Sequence, residues 1–264
     1  MIAAWAADAE SRPDRIIAAG PGAAIWRTAF GAGAKISTDP AALDGMRCLL
    51  SGTGWASDFE HRARLRAKAL GILSIAVLDH WVNYTERFQR NGAIRLPDRL
   101  WVGDRHASQL ARKVFQTTPV SVFPNTYFER QAAQAGPPPP HGDILFVAEP
   151  ARSYWGRSMP GEFQALDHFA TNRAIAGIGE TVPMRVRPHP SDPPGKYDAW
   201  IARHPRVSLD ESAGLAEAMR GARWVAGLNS MALVIAARSG REAISALPPH
   251  APPCALPLND VRRL

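Results

Sequence analysis

Two short segments carry residue types that could hold a phosphate. The first is Arg185-Val186-Arg187-Pro188-His189-Pro190-Ser191-Asp192. It reads as a strand ending in a turn whose two prolines hold the residues before them in extended geometry, so that Arg187 and His189 are aimed at the strand's C-terminal edge. A guanidinium fork beside an imidazole suits a phosphate or pyrophosphate; the bland alternative is an exposed loop with no role. The second segment, Trp224-Val225-Ala226-Gly227-Leu228-Asn229-Ser230-Met231-Ala232, follows about forty residues later. It reads as strand, turn and helix, with Asn229 or Ser230 as the N-cap and Gly227 allowing a tight turn. The N–H groups of Ser230 and Met231 would then face the sheet edge with the positive helix end behind them. Alone this is an ordinary capped helix, but in a parallel sheet the two segments can converge on one anion.

Candidates for proton transfer lie in the first half, in Val77-Leu78-Asp79-His80-Trp81-Val82-Asn83-Tyr84. Asp79 and His80 follow the most apolar strand pattern in the chain, where either could deprotonate a hydroxyl. Trp81 and Tyr84 offer flat faces for a sugar. The structural alternative is that Asp79 caps a helix and His80 meets a carbonyl. Ser51-Gly52-Thr53-Gly54-Trp55-Ala56-Ser57-Asp58 is a second turn at the same edge. No Lys-Ser/Thr follows its glycines, so it resembles a phosphate loop only loosely and a nucleoside triphosphatase is disfavoured. Asp58 and Glu60 are weaker base candidates, and Glu149, after the strand at 143–148, could also reach a ligand. No Gly-x-Ser-x-Gly elbow, His-Glu-x-x-His pair, Asp-x-Asp pair or cysteine cluster appears, so neither an elbow hydrolase nor a resident metal is expected.

The elements that would position these groups alternate. Strands are expected at 15–20, 48–52, 72–78, 99–102 and 120–122, then at 143–148, 184–187, 206–209, 224–226 and 243–247. Helices are expected at 2–10, 23–30, 58–70 and 108–115, then at 161–177, 195–204, 212–221 and 230–239. Near-continuous apolar strands separated by helices mark parallel sheets covered on both faces. Four consecutive prolines at 137–140 read as a stiff linker. Domains are therefore expected at 1–136 and 137–264. The fold class is α/β, two Rossmann-like domains facing across a cleft, where the C-terminal strand ends of open sheets bind ligands. The chain opens on a helix pattern, where a doubly wound domain usually opens on a strand.

Composition bounds the rest. The 264 residues are 46% hydrophobic, enough for one large or two ordinary cores and unlike a disordered chain. No apolar stretch approaches the roughly 18 residues of a membrane span. The apolar start is interrupted by Asp8 and Glu10 and lacks a basic lead-in, so no cleaved signal peptide is expected. Cys48 and Cys254 have no metal spacing and read as free thiols of a reducing cytoplasm. The net charge is +7, yet only four of the 31 basic residues are lysine. The densest cluster, His61 to Lys68, reads as one solvated helix face. A nucleic-acid groove would need interleaved aromatics and is not expected, whereas a surface for an anionic substrate or lipid remains open.

An Arg-Pro-His-Pro turn followed by Gly-x-x-Ser-Met-x-x-x-x-Ala resembles the donor half of bacterial GT-B glycosyltransferases that build surface polysaccharides. The likeness is to the capsular sialyl- and Kdo-transferases and the CDP-glycerol glycerophosphotransferases. It covers residues 184–250 and is only architectural before that. The resemblance implies that His189, Pro190 and Ser230, with Arg187 assisting, contact the phosphate of a cytidine-linked donor. It also implies that Ser208 or Glu211, in Val207-Ser208-Leu209-Asp210-Glu211-Ser212, binds base or ribose; acids at a helix start are an equal alternative there. GT-B enzymes generally need no bound metal. The acidic base motif of the sialyltransferases is echoed only by Leu43-Asp44-Gly45.

The expectation is therefore a GT-B-type enzyme of polysaccharide biosynthesis, with no cofactor beyond its nucleotide-sugar substrate. Its partners would be that donor and a glycan or lipid-linked acceptor, with peripheral attachment at the cytoplasmic face of a membrane and no nucleic acid. Arg187, His189, Asn229, Ser230 and Met231 would hold the donor phosphate, with Asp79 and His80 catalytic. Two alternatives share the fold: a nucleotide-sugar epimerase or hydrolase, and a non-catalytic nucleotide-sugar-binding protein.

Overall fold

The computed structural model describes residues 1–8, 13–54, 57–256 and 261–264. The chain divides into two compact units, Met1–Tyr127 and Phe128–Leu264, a division that precedes the proline run.

The first unit contains α1 (Ile2–Asp8), β1 (Ile16–Ile17), α2 (Gly20–Phe30), β2 (Ile36–Ser37), β3 (Cys48–Ser51), α3 (Phe59–Ala69), β4 (Leu73–Leu78), β5 (Gln89–Arg90), β6 (Ala93–Ile94), β7 (Arg99–Val102), α4 (Arg105–Val114) and β8 (Val120–Val122). Helix α5 (Thr126–Ala135) crosses the division. The expected end of the first helix at Glu10 lies outside the described residues, as do Trp55 and Ala56 of the glycine turn. Strand β4 is buried from Ser74 to Leu78, so it is central, in a parallel sheet ordered β3-β4-β7-β8. That order follows the chain without reversing, and β1 and β2 pair separately in parallel. Helix α4 starts earlier than expected because Asp104 caps it, accepting the Ala107 N–H at 2.7 Å. The basic stretch of α3 is not wholly solvated. Arg64 is buried, donates to Gly52 O at 2.9 Å and lies over the Phe88 ring, and burial is the largest cause lowering its pKa to about 10.

The second unit contains β9 (Asp143–Val147), α6 (Gly161–Asn172), a 3-10 turn (Arg173–Ala176), β10 (Met184–Arg187), α7 (Asp198–Ile201), β11 (Val207–Leu209), α8 (Leu215–Arg220), β12 (Ala222–Gly227), α9 (Met231–Arg238), β13 (Glu242–Ser245) and β14 (Arg262–Arg263). All six strands are parallel, in the order β11-β10-β9-β12-β13-β14. The first strand of the unit is thus internal: two strands are added on one side of it, then three on the other. This is the doubly wound order, whose ligand crevice lies where the direction of winding reverses, between β9 and β12. Ile144, Phe146, Leu166, Phe169, Met184, Val186, Trp200 and Ile244 are all under 3% exposed and form the core beside α6 and α7.

The proline run is tied to this unit. Buried Arg241 donates to the carbonyls of Gly136 at 2.7 Å, Ala135 at 3.2 Å and Pro137 at 3.5 Å, and to those of Met219 and Ala222. Gly227 has a packing role and not the turn role expected of it. Its φ is not positive, and a Cβ there would lie 2.8 Å from both Val147 O and Val147 Cγ2. Gly227→Ala is therefore expected to lower stability by about 2–3 kcal/mol, since a backbone carbonyl cannot move aside cheaply. Urea unfolding of the two proteins measures this, and equal midpoints would refute it.

Candidate functional site

Strand register places the two phosphate candidates on one edge. Arg187 pairs with Val147 across β10–β9, and Gly227 pairs with the same Val147 across β12–β9. The 188–192 turn and the start of α9 therefore leave the sheet at the same level, two strand spacings or roughly 10 Å apart, with the β9 exit between them.

The turn is built on Asp192, a residue not singled out from sequence. Its carboxylate, 2% exposed, accepts from the His189 N–H at 3.0 Å, the Tyr197 hydroxyl at 3.0 Å and Lys196 Nζ at 2.7 Å. Burial raises its pKa, but Lys196, the His189 N–H and Tyr197 outweigh that and hold it below the usual carboxylate range. Lys196 also reaches Glu162 at 2.7 Å. Gly195 has φ +77°, which a right-handed helix cannot include, so α7 begins at Asp198 and not at 195. His189 is exposed, and its Nδ1 accepts the Ser191 N–H at 3.1 Å. A backbone N–H can only donate, so the neutral ring carries its proton on Nε2 and can offer it to an oxygen.

Arg187 is partly committed. Its Nη1 donates to Asp210 at 2.5 Å and to Ser212 O at 2.9 Å. Asp210 is 1% exposed, also binds Arg185 and accepts from the Ser212 hydroxyl, while Arg185 clamps Asp143 through two nitrogens at 2.6 and 3.0 Å. Asp210 is thus the buried hub, whereas its predicted neighbours Ser208 and Glu211 are exposed. The signal for this hub was the Arg-x-Arg alternation of β10, which puts both guanidinium groups on the face opposite Met184 and Val186.

At the other segment, Ser230 is the N-cap and accepts the Ala232 N–H at 3.2 Å. Asn229 Oδ1 accepts the Ala255 N–H at 2.9 Å. Among the described residues, the N–H groups of Ser230 and Met231 have no acceptor. The Asn229 N–H does have one: it donates to Glu149 Oε1 at 2.9 Å. Glu149 therefore stands in the crevice between β9 and β12. Burial pushes its carboxyl up, a shift the Asn229 N–H only partly offsets.

In the first unit, Asp79 is half exposed and paired with Arg87 at 3.1 Å. Arg87 is buried and also holds Thr53 O at 3.2 Å and Val82 O at 3.1 Å, so it joins the glycine turn to the β4 exit. His80 Nδ1 accepts the Trp81 N–H at 2.9 Å, which occupies the basic nitrogen of the neutral ring and leaves Asp79 the better base. Trp81 and Tyr84 do not offer the faces expected of them. Both are 6% exposed; Trp81 donates to Asp104 at 3.0 Å, and Tyr84 stacks on Phe115. Asp58 is exposed and paired with Arg90 at 2.6 Å. Glu60 fills the glycine turn, where a Cβ on Gly52 or Gly54 would lie 2.6 or 2.7 Å from its carboxylate oxygens. Asp44 is exposed and paired with Arg66 at 3.0 Å.

Among the described residues, no three His, Cys, Asp or Glu side chains gather as metal ligands would, and no helix is long and apolar enough to cross a membrane. No protein-family model and no curated protein matches the chain. Among solved structures it is similar to the glycotransferase of kitacinnamycin, with 13% identity and a TM-score of 0.43, over 92% of this chain and 66% of that one. The chain thus spans about two thirds of that protein's length. At this level of likeness, the α/β assignment rests on the sheets themselves.

Glu149 gives a pH test. Its folded pKa lies above its unfolded value, so the stability it contributes is full below the ordinary glutamate range and is lost as pH rises through the folded value. Glu149→Gln keeps an oxygen for the Asn229 N–H without a charge. It is expected to melt higher than the wild type at neutral pH, with the gap closing towards pH ~4.3. A variant that melts lower at neutral pH would sink the assignment.

Proposed function

We propose that the chain is a glycosyltransferase that moves a sugar from a nucleotide-activated donor, cytidine-linked in preference, onto a surface-glycan or lipid-linked acceptor. In this reading the two units act as the halves of a GT-B-type enzyme working in the cytoplasm, at the inner face of a membrane. The observation that carries it is the shared register of Arg187 and Gly227 on Val147. It sets the His189 turn and the start of α9 at one edge, on either side of the reversal in strand order. The His189 Nε2–H, the Ser230 and Met231 N–H groups and the uncommitted nitrogens of Arg187 are all donors. Donors fixed in advance around the leaving phosphate lower the barrier, because negative charge grows there as the bond to the sugar breaks. Asn229 positions the helix start, and Ser208 and Glu211, exposed on and after β11, meet the nucleoside.

Transfer requires an acceptor hydroxyl to attack the anomeric carbon while the bond to the donor phosphate oxygen breaks and the hydroxyl proton leaves. Asp79 takes that proton in this reading, with Arg87 fixing its orientation and His80 beside it at the β4 exit.

A thermal-shift screen with CMP, CDP, UDP and GDP tests the donor class. Cytidine nucleotides should raise the melting temperature, and His189→Ala should weaken that shift. Asp79→Asn should abolish sugar transfer while leaving nucleotide affinity unchanged. A wild-type protein that responds to none of the four nucleotides would refute the reading.

A further inference from the structure

The connection between β9 and α6, residues 148–160, leaves the sheet beside the crevice of the second unit. It is irregular but tightly held. The Ala151 N–H donates to Glu162 Oε2 at 3.2 Å, and Gln164 Nε2 donates to Tyr154 O at 2.7 Å and Met159 O at 2.6 Å. Both partners are buried, and Gln164 is itself fixed by His250 at 2.7 Å. The Gly161 N–H donates to Ser153 O at 2.8 Å. A Cβ at Gly161 would lie 2.8 Å from Ala151 Cβ and from the Trp155 ring, so the loop is pressed against the start of α6. Trp155 packs on the core of the unit.

This fixation holds an unfavourable backbone. Arg152 has φ +53° and Trp155 φ +45°, in the left-handed region that L residues avoid. A simple connection would need neither that strain nor buried polar side chains to maintain it, and strain of this kind collects at ligand-contacting loops. With Trp155 turned inward, the outward residues are Arg152, Ser153, Tyr154, Arg157 and Ser158, and Tyr154 is 55% exposed. An exposed aromatic ring with an arginine on either side of it in sequence, on a tightly held loop, suits a flat base attached to a negative charge. A fixed loop presents that ring with little ordering left to do on binding.

We propose that loop 148–160 is the nucleobase-reading surface of the donor site, with Tyr154 stacking on the base and Arg152 and Arg157 flanking it. This rests on the nucleotide reading above and adds the residues that would discriminate the base. Calorimetric titration of CMP tests it on wild type, Tyr154→Ala, Tyr154→Phe and the double variant Arg152→Gln/Arg157→Gln, with each ligand-free melting temperature recorded. Tyr154→Ala should bind CMP about tenfold more weakly, as expected for the loss of one base–aromatic stack. Tyr154→Phe should bind like the wild type, and the double variant should bind more weakly with a shallower salt dependence. All ligand-free melting temperatures should agree, since these side chains are exposed. Wild-type affinity in Tyr154→Ala and the double variant overturns the loop assignment and leaves the nucleotide reading intact. Equal losses in Tyr154→Phe and Tyr154→Ala overturn stacking, and a wild type that binds no CMP overturns both.

Discussion

Strand β12 lies against the end of β9 with no side chain at position 227. The contact with Val147 leaves no room for a methyl group, and β9 is the strand on which both flanks of the second sheet are built. Moving β12 outward would shift the start of α9, the Asn229 N–H and the carboxylate it meets. The edge of the crevice where the winding reverses thus depends on a missing Cβ. The glycine acts through volume at that point, since its backbone angles are open to any residue.

Around this edge, charged side chains divide into those that build and those that face outward. Asp210 and Asp192 are almost wholly enclosed, and each gathers several donors. A buried carboxylate with that many partners has its desolvation offset, and removing it would strand the cations. Asp210 therefore decides how much of Arg187 remains for a ligand, and Asp192 decides where the His189 ring stands. Arg87 does the same in the first unit, binding Asp79 and two loop carbonyls. Arg187, His189 and Asp79, proposed to meet ligand, are each one hydrogen bond from the group that fixes them.

The regular elements were largely legible because their pattern is strong. Strand β4 is apolar on both faces, as a central strand must be, and Ser230 is a cap by chemistry as well as by position. The helix expected over 195–204 is only Asp198–Ile201, with Gly195 in the left-handed region at its expected start. Strand β1 falls within the strand expected at 15–20, whereas β2, β5 and β6 carry too few residues for any period to show. At the site, residue types were readable but commitments were not. Nothing in sequence distinguishes Asp210, which is enclosed, from Glu211, which is exposed. Trp81 and Tyr84 are enclosed because an aromatic after a strand can turn towards the core as easily as towards solvent. Strand order, which locates the crevice, depends on pairing across tens of residues and has no local signature.

Arg241 has a practical consequence for dissecting the molecule. Among the described residues its cation is met by backbone carbonyls and the Ser239 hydroxyl and by no carboxylate, and three of those carbonyls belong to residues 135–137. A fragment cut at the prolines would discard two of them and leave an enclosed guanidinium short of acceptors. The second unit should be excised ahead of α5, at about residue 126, so that the carbonyls at the end of that helix stay with the cation they solvate.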